Sequence, residues 1–158
     1  MSLFRKIKKD VSLAAPVNGR MIDTKSVPDA MFSQEMLGPT LAFRSDEGRI
    51  YAPVDGKIVM LMDSKHAVGI RDASDNEYLI HIGIDTVNLQ GTGFKAHVRK
   101  NSRVRKGDLL VEYDMKTVEE AGYDQSIMIV VSKLALSSIE RKTVEACRSG
   151  DTVALLKA

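Results

Sequence analysis

The chain has 158 residues, enough for one domain with its own core. Hydrophobic residues make up 44% and charged residues 28%, the balance of a soluble globular protein. Lys+Arg 23 against Asp+Glu 21 leaves a net charge of +2, and aromatics are only 5%, which excludes a global basic field for nucleic acid and a base-stacking surface.

The N-terminal MSLFRKIKKD is basic but lacks the apolar core and small-residue cleavage site of a signal peptide. Leu3, Phe4 and Ile7 would share one side of a short amphipathic helix, with lysines on the other, so membrane-surface binding is one reading. A solvated tail over residues 1–13, followed by a single domain over 14–158, is the reading taken here. No apolar run is long enough to span a membrane. The lone cysteine, Cys147, cannot form an internal disulfide and is expected as a buried thiol in a reducing, cytoplasmic compartment.

Short strands broken by turn signals dominate the rest. Strand patterns cover Arg49–Ala52, Lys57–Met62, Ala67–Arg71, Glu77–Ile84, Leu109–Tyr113, Met128–Val131 and Val153–Lys157. Between them lie VNG, VDG, DASDN, RKGD and RSGD, rich in residues that favour turns. Asp114 is placed to cap a short helix through Thr117–Ala121, and Ser137–Cys147 is a second, loosely periodic helix candidate. The chain also repeats itself: Ala15-Pro16-Val17-Asn18-Gly19 recurs as Ala52-Pro53-Val54-Asp55-Gly56, and Gly107-Asp108 is echoed by Gly150-Asp151. The expected fold is all-β: an antiparallel β-sandwich or flattened barrel, with pseudo-duplicated hairpin units and one or two short helices.

The stretch YLIHIGIDTV (78–87) sets a histidine inside an apolar strand. Alternation puts Tyr78, Ile80, Ile82 and Ile84 on a greasy face and Leu79, His81, Gly83 and Asp85 on the other. Gly83 removes a side chain beside His81 and is expected to leave room for a phosphate or a partner's backbone. If DASD (72–75) is a symmetric four-residue hairpin loop, position i faces 147 − i, and His66 faces His81. A slip of one would separate the two rings.

Two facing imidazoles have three uses. Zinc normally wants a third protein ligand, and His97, in the polar AHVRKN, is not placed near them. A purely structural pair is the second use. Phosphoryl chemistry is the third: a neutral imidazole is a good nucleophile near pH 7 and carries a phosphoryl group on one ring nitrogen while the other is held as a donor. A second histidine and the Ser64 hydroxyl would then bind the phosphoryl oxygens.

HIGIDTVNLQGTGF (81–94) resembles the phosphorylation-site motif of glucose-type enzyme IIA proteins of the bacterial phosphoenolpyruvate-dependent sugar phosphotransferase system. VPDAMFSQEMLG (27–38), YAPVDGKI (51–58), SKHA (64–67) and VRKGD (104–108) resemble family segments in the same order. The resemblance runs from about Ala14 to the C-terminus and implies a β-sandwich. It implies that His81 accepts a phosphoryl group from the carrier HPr and passes it to a cysteine of an EIIB domain. His66 matches the supporting histidine, Ser64 the hydroxyl that orients it, and the Gly83 carbonyl the acceptor for the other His81 nitrogen. Asp85 matches an acidic residue at the site's edge. Phe32, Met36, Met62, Leu79 and Val87 fall at positions of the family's apolar partner surface. No cofactor and no resident metal are implied, contact with the membrane runs only through a sugar permease, and the sugar is chosen by that permease. Family proteins also bind regulatory partners according to phosphorylation state. Met1 and the small size suggest a free-standing subunit. The chain departs from the family at Asp75, six residues before the histidine, where glycine is usual, and at Gly38-Pro39-Thr40, where Gly-Asp-Gly is common.

The rival reading is a lipoyl- or biotinyl-type carrier domain. APVDGKIVML and VRKGDLLVEYDMK resemble such domains, in which a hairpin-tip lysine, here Lys116, is modified. They are about half this length, and the reading leaves HIGIDTV without a role.

Overall fold

The computed structural model describes residues 8–158. In chain order the strands are β1 (Val11–Ala14), β2 (Gly19–Ile22), β3 (Thr40–Ser45), β4 (Arg49–Tyr51), β5 (Gly56–Leu61), β6 (Ala67–Arg71), β7 (Glu77–Ile82), β8 (Phe94–Ala96), β9 (Arg103–Val104), β10 (Leu109–Tyr113), β11 (Ile127–Lys133), β12 (Ser138–Arg141), β13 (Ala146–Cys147) and β14 (Thr152–Lys157). Two short helices, α1 (Ala30–Ser33) and α2 (Met115–Glu120), and two 3-10 turns complete the described chain. The large sheet runs β13-β2-β3-β11-β7-β6-β5-β9, and two small sheets, β1-β14-β12 and β4-β10-β8, accompany it, with every pairing antiparallel.

One core joins the three sheets: Leu13 and Leu156 from one small sheet, Ile50 and Leu110 from the other, Phe43, Ile80 and Ile127 from the large one. No ladder among the described residues links β13 to β9, so the large sheet stays open. The architecture is a sandwich and not a closed barrel.

The repeat seen in the sequence is a repeat in space. Ala14 N donates to Pro53 O at 2.9 Å, and the equivalent Tyr51 N donates to Pro16 O at 2.7 Å. Ala15 N bonds Asp151 O as Ala52 N bonds Asp108 O. β2 pairs with β13 as β5 pairs with β9, and Leu13 faces Ala154 as Ile50 faces Val111. Two like units clasp each other through these reciprocal bonds, which satisfy backbone groups that burial would otherwise leave unpaired.

The middle of the large sheet is buried on both faces. Tyr78, Ile80 and Ile82 of β7 and Ile127, Ile129 and Val131 of β11 enter the main core. Met128 and Val130 enter a second cluster with Val27, Phe32, Ala42 and Ile84, against which Leu79 packs. The segment holding α1 therefore lies over the face of β7 that carries His81.

Four expectations need correction. Ser137–Cys147 is not a helix: Ile139 pairs with Leu156 in β12 and Cys147 with Gly19 in β13, and the β-branched Ile139 favours that extended form. The β6–β7 loop has five residues, Asp72–Asn76, because Asp75 takes φ 70° and the Asp72 carboxylate accepts from the backbone of Ser74 and Asn76. Ala67, not His66, is therefore the ladder partner of His81. Finally, β1 begins at Val11, ahead of the Ala14 boundary, while the possible helix bearing Leu3, Phe4 and Ile7 lies outside the described residues.

Candidate functional site

The last residues of β7 place His81 on the second face of the large sheet, half-buried. A tight turn follows. Gly83 has φ 73°, and a Cβ there would lie 2.5 Å from Thr86 Cγ2 and 3.0 Å from Asp124 O. The glycine is thus demanded by the turn, not by an approaching ligand; the space expected beside His81 is filled. The Thr86 hydroxyl donates to Ile82 O, and Gly83 N donates to Ser126 O at 2.8 Å. These bonds aim the Gly83 carbonyl back at His81, whose Nδ1 lies 2.8 Å from it. A carbonyl only accepts, so Nδ1 carries the proton and Nε2 keeps its lone pair.

His66 reaches the same place from outside the ladder. Lys65 takes φ 61°, so the chain bends before β6, and His66 O accepts from Ile82 N at 2.7 Å. The His66 ring then meets that of His81 edge to face, with centroids 4.9 Å apart. His66 is buried, and the Ser64 hydroxyl is hydrogen-bonded to its Nδ1. With Ser64 as donor, the His66 proton sits on Nε2, as a donor for an anion beside His81. The Phe32 ring closes the other side of His81, at 4.8 Å between centroids.

Burial, with His66 second, lowers the His81 pKa to about 4, against the raising effect of the Gly83 hydrogen bond and of Asp29 and Asp85. Burial alone also lowers that of His66. Both rings are neutral at pH 7, the form a nucleophile needs.

A family profile described as "phosphoenolpyruvate-dependent sugar phosphotransferase system, EIIA 1" matches residues 11–136. The chain belongs to this family. It is 40% identical to the "PTS system glucose-specific EIIA component" of Halalkalibacterium halodurans, over 87% of this chain and 80% of that one. It is also 40% identical to part of the "PTS system beta-glucoside-specific EIIBCA component" of Dickeya chrysanthemi, over 90% of this chain but 22% of that one. In that relative an EIIA domain is joined to EIIB and EIIC in one chain. The solved glucose permease IIA from Mycoplasma capricolum superposes with a TM-score of 0.88 at 34% identity, covering 98% of this chain and all of that one. The protein is thus an EIIA component of a sugar phosphotransferase system. Among the described residues no helix is long and apolar enough to cross a membrane.

The sequence-derived site residues separate into three groups. His81, His66, Ser64 and Gly83 are brought together. Met62, Val87 and Met36 are exposed, at 41%, 44% and 67%, and Asp85 is exposed on the turn after His81. Leu79 is half-buried, and Phe32, at 4% exposure, is a core side chain packed against His81 and not a surface residue. Met31 and Leu37 are exposed on the α1 segment as well, and neither was singled out in the sequence. Thr86 and Asp124, which hold the Gly83 turn, were also missed; the only signal was the threonine three residues after the glycine. His97 stands apart, 3.6 Å from Glu112. Lys116 is on α2, paired with Glu120 at 3.8 Å, and not at a hairpin tip, so the lipoyl reading has no support.

Proposed function

We propose that the chain is a phosphohistidine carrier acting on the cytoplasmic side of a sugar permease. It takes a phosphoryl group from phospho-HPr onto His81 Nε2 and gives it to a cysteine of an EIIB domain. In the first step the P–N bond to the donor histidine breaks as the bond to His81 Nε2 forms. In the second the P–N bond to His81 breaks and a P–S bond forms. The observation that carries this reading is the His81 Nδ1–Gly83 O hydrogen bond, which leaves Nε2 as the nucleophilic nitrogen.

His66 donates its Nε2 proton to a phosphoryl oxygen, and Ser64 keeps it in that tautomer. Such transfer depends mainly on positioning and charge stabilisation, which this pair supplies without moving a proton to the solvent. Fusion of EIIB to EIIA in relatives supports the second partner. Exposed Met31, Met36, Leu37, Met62 and Val87 supply an adaptable apolar docking surface, since unbranched methionine fits partners of different shape.

Incubation with phosphoenolpyruvate, enzyme I and HPr should add one phosphate, stable in base and lost in acid. His81→Gln should abolish it. His66→Gln should still be labelled but deliver phosphate poorly to EIIB. Labelling that survives in His81→Gln would overturn the assignment.

A further inference from the structure

A second constellation of charge lies away from the histidines. Register sets Arg71 of β6 opposite Lys57 of β5, and Lys57 opposite Arg103 of β9. Three cations thus stand in one row across neighbouring strands. Directly opposed residues are roughly 4.5–5.5 Å apart, and like charges so placed are destabilising. Arg71 is compensated by Glu77, bonded at 2.8 and 3.0 Å. Among the described residues, the side chains of Lys57 and Arg103, and of Arg105 beside them, form no ion pair.

These four cations line a cleft together with Asp55, Asp72 and Asp108. The carboxylates are already engaged. Asp55 accepts from Lys106 N, Asp108 from Arg105 N, and Asp72 from Ser74, Asn76 and Tyr78. They brace turns and leave the cations of β5 and β9 without a counter-charge in contact.

The internal repeat provides a control within the same molecule. Asp151 holds Arg148 N as Asp108 holds Arg105 N, and Asn18 holds Ser149 N as Asp55 holds Lys106 N. Yet Ala146 pairs with Arg20 where Arg103 pairs with Lys57. The cleft of the first unit is lined by one cation, Arg148, against Asp46, Glu47 and Asp151. One backbone frame accepts either sign of charge, so the fold does not require the Lys57–Arg103 pairing.

We propose that this cleft binds a phosphate-bearing anion with two or more negative charges. Arginine forks grip two phosphate oxygens each, and a row spanning about 10 Å suits a diphosphate or bisphosphate. The row continues through Glu77, which shares its strand face with Leu79 and His81. Four residues of strand place the cleft about 13 Å from His81 along β7. A bound phosphate there reverses the charge of that part of the face for any molecule that spans it. The inference is independent of the histidine chemistry.

The test is calorimetric titration of the full chain with pyrophosphate in about 0.1 M salt, alongside co-sedimentation with phosphatidylcholine vesicles with and without cardiolipin, whose headgroup carries two phosphates. Pyrophosphate should bind with Kd below about 1 mM, and Lys57→Gln/Arg103→Gln should weaken it at least roughly tenfold. Arg148→Gln, in the first unit's cleft, should leave it unchanged. Sedimentation with anionic vesicles that is lost in the double variant, without pyrophosphate binding, assigns the phosphate to a lipid headgroup; binding of both probes assigns it to either source. Binding of neither probe, or binding that the double variant leaves unaltered, overturns the proposal. The Tm of the double variant should equal or exceed that of the parent, and Arg103→Ala, which matches Ala146 at the equivalent position of the first unit, repeats the test if the double variant folds poorly.

Discussion

His66 and His81 meet edge to face, with ring planes at 84° and centroids 4.9 Å apart. Neither ring is free to turn. His81 is tied to Gly83 O and flanked by Phe32, while His66 is buried and tied to Ser64. Each ring thus has one nitrogen committed to the protein and one left for chemistry.

Because burial and His66 lower the His81 pKa to about 4 from the ordinary 6.5, the unfolded chain holds more protons than the folded one between those values. Stability therefore rises with pH through that window, is complete above about pH 6.5, and is lost as pH falls towards about 4. His66 acts in the same direction. Urea midpoints should fall from about pH 7 to about pH 5 more steeply in the parent than in His81→Gln. The initial rate of phosphate uptake should change less than about twofold between pH 7 and about pH 5.5, since Nε2 stays unprotonated. A rate that titrates near 6.5 would contradict the low pKa.

Gly83→Ala should damage fold and site together. The new methyl meets Thr86 Cγ2 at 2.5 Å, and φ 73° disfavours any side chain. A loss of about 1–3 kcal/mol is expected by chemical denaturation. The displaced carbonyl also frees His81 Nδ1, so phosphate uptake at a temperature where the variant is folded should drop. Full uptake in a folded variant would show that the Gly83 bond does not hold the tautomer.

Ser64 tests positioning without touching the acceptor. Ser64→Ala leaves His66 Nδ1 without its hydroxyl partner. Labelling of His81 should persist, while delivery to EIIB slows roughly ten- to a hundredfold. Nitrogen NMR should show His66 losing its single tautomer. Ser64→Thr keeps the hydroxyl and should restore both readouts; a rescue that fails would mean that Ser64 serves packing alone.

Seven of the fourteen strands, β4 to β7, β10, β11 and β14, were legible in the sequence, by alternation or as short apolar runs between turn signals. β7 is the clearest case, with every second side chain buried. β3 was not, since Thr40, Leu41, Ala42 and Phe43 are buried in sequence on both faces and carry no period. β1 and β13 are too short to show one. The pairing of His66 with His81 was reached through a register that proved one residue off. Asp75 and Lys65 both adopt left-handed backbone, which a sequence pattern does not reveal for an aspartate or a lysine. The first lengthens the hairpin loop, and the second turns His66 out of the ladder and back over His81. The two departures compensate. The covering of His81 by Phe32 was invisible for another reason: α1 has one buried residue and shows no periodicity.

Phe32 and Met36 lie close in sequence and should behave oppositely. Phe32 is 4% exposed, and its ring packs on His81. Phe32→Ala should cost about 3–5 kcal/mol, as large-to-small changes in a core do, and should loosen His81. Met36 is 67% exposed. Met36→Lys should change stability by no more than about 0.5 kcal/mol, because no core contact is lost. If the methionine docks on partners, the same change should weaken HPr binding roughly tenfold, measured by titration with phosphate absent. The His66 and His81 resonances should not move in the free Met36→Lys protein. Unchanged HPr affinity would remove Met36 from the docking surface and leave Met31, Leu37, Met62 and Val87 to carry it.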